Sequence, residues 1–150
     1  MRPKAKVNVN YLVDEVMRFF VKEDGFFVSD NFQEVHSPAD LFWQVGVSTN
    51  SSVFQLFANL AGRANFGGGL MKIQTYEVAA LLTVNPTLLD SVSCKKALLN
   101  ADRLDLQAAD RRALDEVVFD VLGLTPGERE AVYEAVVALV RARLDKAQSV

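Results

Sequence analysis

Cysteine and histidine are nearly absent from this sequence. Cys94 is the only cysteine and His36 the only histidine among 150 residues, which excludes an intramolecular disulfide and the usual zinc and iron–sulfur ligand sets. Long apolar runs are missing too, since none approaches the length needed to span a bilayer and no apolar signal region follows the basic start. We therefore expect no metal site, no membrane association and a reducing, cytoplasmic setting.

The sequence also lacks an assembled catalytic motif. A lone cysteine and a lone histidine far apart cannot make a nucleophile with an adjacent base. The glycine triplet at 67–69 follows a helix pattern and has no Gly-Lys-Ser/Thr ending, so it matches neither a cofactor-binding glycine motif nor a P-loop. Asn85-Pro86 is followed by Thr87 and Leu88, which supply neither the second proline nor the aromatic ring of an amino-methyltransferase active site. We expect no catalysis by this chain alone.

Acidic residues are missing from one long stretch. From Leu41 to Tyr76 there is no Asp or Glu, while Arg63 and Lys72 flank the glycine triplet. The formal net charge is −3, and the excess of acid lies after residue 75. A flexible, basic-flanked loop without acids suits a polyanion, so we expect any nucleic-acid face to lie in the first half.

The first third predicts antiparallel sheet. Val7 and Val9 alternate with asparagines, and the Asp-Gly turn at 24–25 separates two apolar runs as in a β-hairpin. Residues 32–36 indicate a further strand. The segment 11–20 also fits a helical period, and we favour a strand from Met17 onward. Trp43 is expected in the core rather than on a base-stacking platform, after a short helix or turn that begins near Pro38.

The central stretch predicts a helix, a glycine loop, a short strand and a second helix. Apolar residues recur at helical spacing after three possible caps at 50–52, and Gly62 ends that helix. Residues 70–73 alternate as in a strand. Thr75 is expected to cap the next helix.

Two helices are predicted at the C-terminus. The first begins at Arg111 or Arg112 and ends at Gly123, and the second follows a capping box with proline, Thr125-Pro126-Gly127-Glu128. The fold class is therefore α+β: a small antiparallel sheet with packed helices, followed by a C-terminal helical hairpin. We divide the chain into a sheet-containing recognition-like domain (1–86), a linker with a helical turn or two (87–110) and the hairpin (111–150).

Several of these segments resemble a known family. The run 62–70, Lys72-Ile73-Gln74, Tyr76-Glu77-Val78 and Val84-Asn85-Pro86 are similar to the C-terminal target-recognition region of N-6 adenine-specific DNA methyltransferases of restriction-modification systems. The segments 111–118, 122–125, 132–136 and 141–144 resemble their helical tail. The resemblance covers about the last two thirds of the chain. It implies a part that grips duplex DNA, while S-adenosylmethionine and the catalytic motifs belong to a domain or subunit outside this chain.

Six side chains are candidates for DNA contact. Arg63, Lys72 and Lys22 could neutralise phosphates, whereas the amides of Asn65 and Gln74 could read adenine or a phosphate oxygen. Tyr76 could bond to the backbone. Arg63 could equally cap the preceding helix, and Tyr76 could pack in the core.

Two functions follow as expectations. The first is a non-catalytic, double-stranded-DNA-binding fragment that positions the duplex for a methyltransferase catalytic domain. The alternative is a protein–protein interaction module that forms a homodimer through its C-terminal helices and binds no DNA, which the acidic tail favours.

Overall fold

The computed structural model describes residues 3–38, 40–61 and 69–149. The strands are β1 (Val7–Asn10), β2 (Leu12–Val13), β3 (Phe19–Val21), β4 (Phe32–Val35) and β5 (Met71–Lys72). The helices are α1 (Phe42–Asn50), α2 (Ser52–Ala61), α3 (Thr75–Ala80), α4 (Ser91–Leu99), α5 (Ala109–Leu122) and α6 (Pro126–Gln148), with a 3-10 turn at Pro86–Leu88.

A three-stranded antiparallel sheet has the order β3-β1-β4, and β2 pairs with β5 in a separate two-stranded ribbon. Because side chains alternate along a strand, Val7, Val9 and Phe19 face one side, where they are buried in the core with residues of α1. The packed helices and small antiparallel sheet confirm the predicted α+β class.

The hairpin prediction was correct about the turn but wrong about the strand pairing. A turn does form, with the Gly25 N–H donating to the Lys22 carbonyl. However, β3 pairs with β1, and Phe26 donates its N–H to the carbonyl of Ala5 instead of starting a strand. Phe27 is 88% exposed, so the apolar run at 26–28 lacks the buried face that would fix it as a strand.

Two side-chain amides from the helices cover the other edge of β3. Asn50 accepts from the Phe19 N–H at 3.0 Å and donates to the Phe19 carbonyl at 2.8 Å, and Gln55 does the same for Met17 at 2.9 and 2.7 Å. These bonds replace those of a neighbouring strand, and they protect this edge from pairing with another chain.

Helix α1 is longer than the predicted short helix or turn. Its nine residues pack beneath the sheet and against α4, and Trp43 is buried as expected. A Cβ at Gly46 would lie 2.4 Å from Val21 Cγ2 and 2.9 Å from Leu98 Cδ1, so this position needs a residue without a side chain. Of the three predicted caps, Ser51 bonds to the Phe54 N–H at the start of α2.

The segment predicted as a linker contains more structure than a helical turn or two. Helix α4 packs on α1 and α5, and its Cys94 is fully buried. Burial raises the pKa of that thiol to about 12. The division of the chain at residues 86 and 110 stays a prediction, but at least this helix shares the core of the preceding elements.

The C-terminal helices begin and end largely as predicted. Gly123 ends α5 in the left-handed conformation, and Thr125 with Glu128 forms the capping box of α6. Phe119 and Tyr133 join the two helices edge to face at 5.6 Å, whereas the rest of α6 packs mainly on α2. In the ranges that the structure describes, no helix is both long and apolar enough to cross a membrane.

Candidate nucleic-acid interface

The ribbon of β2 and β5 carries polar residues of the candidate site, and Lys72 and Gln74 are half-buried there. Leu12 lies opposite Lys72, and Val13 lies opposite Met71. Val13, Met71 and Ile73 are buried, so the alternation turns Lys72 and Gln74 to the other side. We call the surface formed by Tyr11, Lys72, Gln74 and Tyr76 the ribbon face.

Tyr11 organises this face. Its hydroxyl donates to Gln74 Oε1 at 3.0 Å, and the Lys72 ammonium lies 4.8 Å from the centroid of its ring. An ammonium over an aromatic ring is held by electrostatic attraction while it keeps contact with solvent. Tyr11 was not among the predicted site residues, and the sequence around it carries no signal for this role because its partners lie about sixty residues away.

The start of α3 differs from the prediction at one residue. Gln74, not Thr75, is the N-cap, and the Glu77 carboxylate accepts from the Gln74 N–H at 2.8 Å. The side-chain oxygen Oε1 of Gln74 accepts from the Tyr11 hydroxyl. Its Nε2 hydrogens have no partner in the described part of the chain. Tyr76, in the first turn of α3, is 67% exposed and therefore does not pack in the core.

The other predicted contacts lie apart from this group or cannot be placed. Lys22 is exposed in the turn after β3 and lines a different depression, together with Trp43, Leu98 and Arg103. Arg63 and Asn65 lie outside the described residues, as do the first two glycines of the triplet. The structure thus brings Lys72 and Gln74 together around Tyr11, while Tyr76 follows in the first turn of α3.

The last glycine of the triplet contacts a helix. Gly69 is buried with φ of 74°, and a Cβ there would lie 3.0 Å from Leu144 Cδ2 and 3.3 Å from Ala147 Cβ. The absence of a side chain at this position is therefore explained by close packing against α6. The expectation that the triplet leaves room for a polyanion does not hold for Gly69.

Arg143 of α6 fixes both strands of the ribbon. Its guanidinium donates to the carbonyl of Gly69 at 2.5 Å, just before β5, and to the carbonyls of Asp14 and Glu15, just after β2. Burial lowers the pKa of Arg143, against the attraction of the two nearby carboxylates. Sequence reasoning gave Arg143 no role, because a single arginine on a polar helix carries no signal of its distant partners.

A second polar cluster lies inside the protein, where α1 ends and α5 passes. Arg111 donates to the Leu104 carbonyl at 2.6 and 2.8 Å and to the Asn50 carbonyl at 2.6 Å, while Asp115 accepts from the N–H and hydroxyl of Ser52 at 2.6 and 2.5 Å. Burial raises the pKa of Asp115, opposed first by the hydrogen bonds from Ser52 and then by the attraction of Arg111. Burial lowers the pKa of Arg111, opposed by the attraction of Asp115. We call Asn50, Ser52, Arg111 and Asp115 the buried hub.

The buried hub is a structural feature. All four residues are at most 1% exposed, so no ligand reaches them without unfolding. In the described ranges, no group of three or more histidine, cysteine, aspartate and glutamate side chains could hold a metal ion. Comparisons of the chain with protein-family models, with curated proteins and with solved structures found no match.

Proposed function

We propose that this chain is a non-catalytic DNA-binding part of an N-6 adenine-specific DNA methyltransferase, which positions the duplex for a catalytic domain or subunit outside the chain. The observation that carries the proposal is the ribbon face: half-buried Lys72 and Gln74 lie beside Tyr11, and exposed Tyr76 follows in the first turn of α3. Lys72, Gln74 and Tyr76 lie in the stretch without acids from residue 41 to residue 76, and these three residues belong to the segments that carry the resemblance to the family.

Each group on the ribbon face has a contact that suits duplex DNA. The Lys72 ammonium can neutralise a phosphate, and the Tyr76 hydroxyl can donate to a phosphate oxygen. Because the side-chain oxygen of Gln74 is hydrogen-bonded to Tyr11, the Nε2 hydrogens are the groups available to a base edge or to the DNA backbone. The hydrogen bond from Tyr11 orients this amide, so it meets the duplex without first being ordered.

Arg143 and Gly69 position this surface. The ribbon is short, with two residues in each strand, and so short a pairing is marginal without support. The Arg143 bonds on both sides and the contact of Gly69 with α6 supply that support. The helical tail therefore acts as a scaffold for the DNA contacts.

Fluorescence anisotropy of a labelled random-sequence duplex, titrated at about 25 to 200 mM salt, tests the proposal. Because Lys72 is the cation of the ribbon face and neutralises about one phosphate, the slope of log affinity against log salt should be about −1. Lys72→Gln should weaken binding about fivefold at the lowest salt concentration and make the slope less negative by about one. Lys146→Gln is the matched control, since Lys146 is exposed in the last turn of α6 and should leave both quantities unchanged.

Two other results would contradict the DNA-binding proposal. Equal effects of the two lysine substitutions would mean that the ribbon face does not contact DNA. No binding at any salt, together with a dimer mass in light scattering, would favour the protein-interaction alternative. That alternative has less surface available than the sequence suggests, because Tyr133, Val136 and Val140 of α6 are buried within this chain.

A further inference from the structure

The three-stranded sheet has a second face that the core does not use. Alternation places Asn8 and Asn10 of β1 opposite the buried valines, and the register sets Asn8 beside Phe20 and Asn10 beside Phe32. A groove of about 350 Å³ opens on this face. Its lining is aromatic, from Phe20, Phe26, Phe27 and Phe32, with Asn8 as its most buried residue.

Asn8, which lines this groove, has an unpaired hydrogen-bond acceptor. The residue is only 3% exposed, and its Oδ1 is itself buried, with no hydrogen-bond partner among the described residues. Nearly all buried polar atoms in folded proteins are paired, so this oxygen would gain a partner if the Asn8 amide turned it into the groove toward a ligand with an N–H or O–H donor.

The groove walls offer flat, accessible rings. Phe20 and Phe32 meet at 6.4 Å with an interplanar angle of 76°, and they remain 41% and 37% exposed. Phe27 is 88% exposed, with the Lys4 ammonium 4.0 Å from its ring centroid. Glu34 lies across from Asn8 on the neighbouring strand, and its carboxylate is hydrogen-bonded to His36 at 2.9 Å.

We propose that this groove binds one unstacked nucleobase of DNA, with the ring against Phe20 and Phe32 and a base N–H on Asn8 Oδ1. A nucleobase combines the three properties that the groove selects: a flat ring, a donor on its edge and an attached phosphate for Lys4. A base within a perfect duplex cannot enter, so the ligand is a single strand or an extrahelical base. The inference rests on the proposed function only in taking DNA as the ligand.

Anisotropy with three labelled DNAs tests this inference: an oligodeoxyadenylate single strand, a perfect duplex and the same duplex with one bulged adenine. The double variant Phe20→Ala/Phe32→Ala should weaken binding of the single strand about tenfold, and the bulged duplex should lose its advantage over the perfect one. The perfect duplex should bind as before. Leu88→Ala is the control, because Leu88 is 61% exposed and does not line the groove.

Asn8→Leu separates binding from folding. Because Oδ1 makes no internal bond, this change should keep or raise the midpoint of urea denaturation while it weakens single-strand binding about fivefold. A structural asparagine would instead lower that midpoint.

The results that would contradict the groove proposal differ from those that would contradict DNA binding by the ribbon face. If the perfect duplex binds through Lys72 while the phenylalanine variant leaves single-strand and bulge affinity unchanged, the groove proposal is wrong and the ribbon face stands. If the phenylalanine variant changes only the mass in light scattering, the groove is a contact between copies of the chain, which also overturns it. Single-strand binding that depends on the groove, without duplex binding, supports the groove and contradicts the ribbon face.

Discussion

The buried hub and the ribbon face are both built from polar side chains, but they differ in what those side chains contact. In the hub, Arg111 and Asp115 are 0% exposed and donate to or accept from the protein's own backbone. On the ribbon face, Tyr76 is 67% exposed and the Gln74 amide keeps donors free. The comparison shows that charge alone does not mark a binding site, because the fully buried Arg111 binds only the protein's own backbone and is a packing element.

The two regions also depend on each other through the helices. The hub ties the start of α2 to α5, α2 supports α6, and Arg143 of α6 holds the ribbon. A change in the hub should therefore lower the stability of the whole fold, whereas a change on the ribbon face should alter binding more than stability.

The largest effect is expected from Arg111→Met. The change leaves Asp115 buried without its counter-charge and removes the hydrogen-bond donors of two buried carbonyls. The free energy of unfolding from urea denaturation should therefore fall by about 3 to 5 kcal/mol. Arg112→Met is the matched control. Its side chain is 42% exposed and pairs with Glu130, so the loss there should stay below about 1 kcal/mol.

A double-mutant cycle sharpens this result. In the Arg111→Met/Asp115→Asn protein both buried charges are gone, and the oxygen of the new side-chain amide can still accept a hydrogen bond from Ser52. The double variant should therefore lose less stability than the sum of the two single changes. If the stability losses of the two single variants simply add, or if Arg112→Met costs as much as Arg111→Met, the hub contributes no more to the free energy of unfolding than a surface ion pair does.

A glycine series gives effects of intermediate size. Gly69→Ala combines positive φ with contacts of 3.0 to 3.3 Å to α6, and should lower stability by about 1 to 3 kcal/mol. Gly123→Ala has φ of 66° and open space, so its loss should be about 1 kcal/mol. Gly127→Ala has neither constraint and should stay within about 0.5 kcal/mol.

The same series tests whether α6 positions the ribbon. Gly69→Ala should also weaken duplex binding, because it displaces the start of β5, while Gly123→Ala should leave the affinity of the folded protein unchanged. Equal duplex affinities for all three variants would mean that the contact of Gly69 with α6 does not influence DNA binding by the ribbon face.

Sequence patterns predicted the elements whose signals are local. Alternation identified β1 and β5, the turn at 29–31 with the apolar residues after it identified β4, and the capping box at Thr125 with Gly123 before it located the boundary between α5 and α6. Helix α1 was predicted too short because valine, threonine and glycine within it are poor helix formers, and its packing beneath the sheet outweighs that preference.

Features that depend on distant partners could not be read from the sequence. The Asp-Gly turn was identified, but the choice of β1 as the partner of β3 depends on which runs are buried. Asn50 and Ser52 look like helix caps, yet Asn50 covers the edge of β3 and Ser52 binds Asp115, 63 residues away. For the candidate site, Lys72, Gln74 and Tyr76 were named from the sequence, whereas Tyr11 and Arg143 required the fold.

The smallest effect is expected from Tyr11→Phe on the ribbon face. The change removes one partly buried hydrogen bond to Gln74 and should lower stability by about 0.5 to 1 kcal/mol in urea denaturation. It keeps the ring beneath the Lys72 ammonium, so the cation stays in place.

Tyr76→Phe is the control for Tyr11→Phe, because the Tyr76 side chain is exposed and its hydroxyl makes no hydrogen bond within the described residues, so the stability of this variant should be unchanged. The two tyrosines thus divide the ribbon face into a residue that holds the surface and a residue that only presents a group to solvent. If both changes lower stability equally, Tyr76 belongs to the scaffold and its hydroxyl is not available to a phosphate. If Tyr11→Phe lowers stability as much as Arg111→Met, the ribbon is part of the same cooperative core as the hub, and the contrast between the two regions disappears.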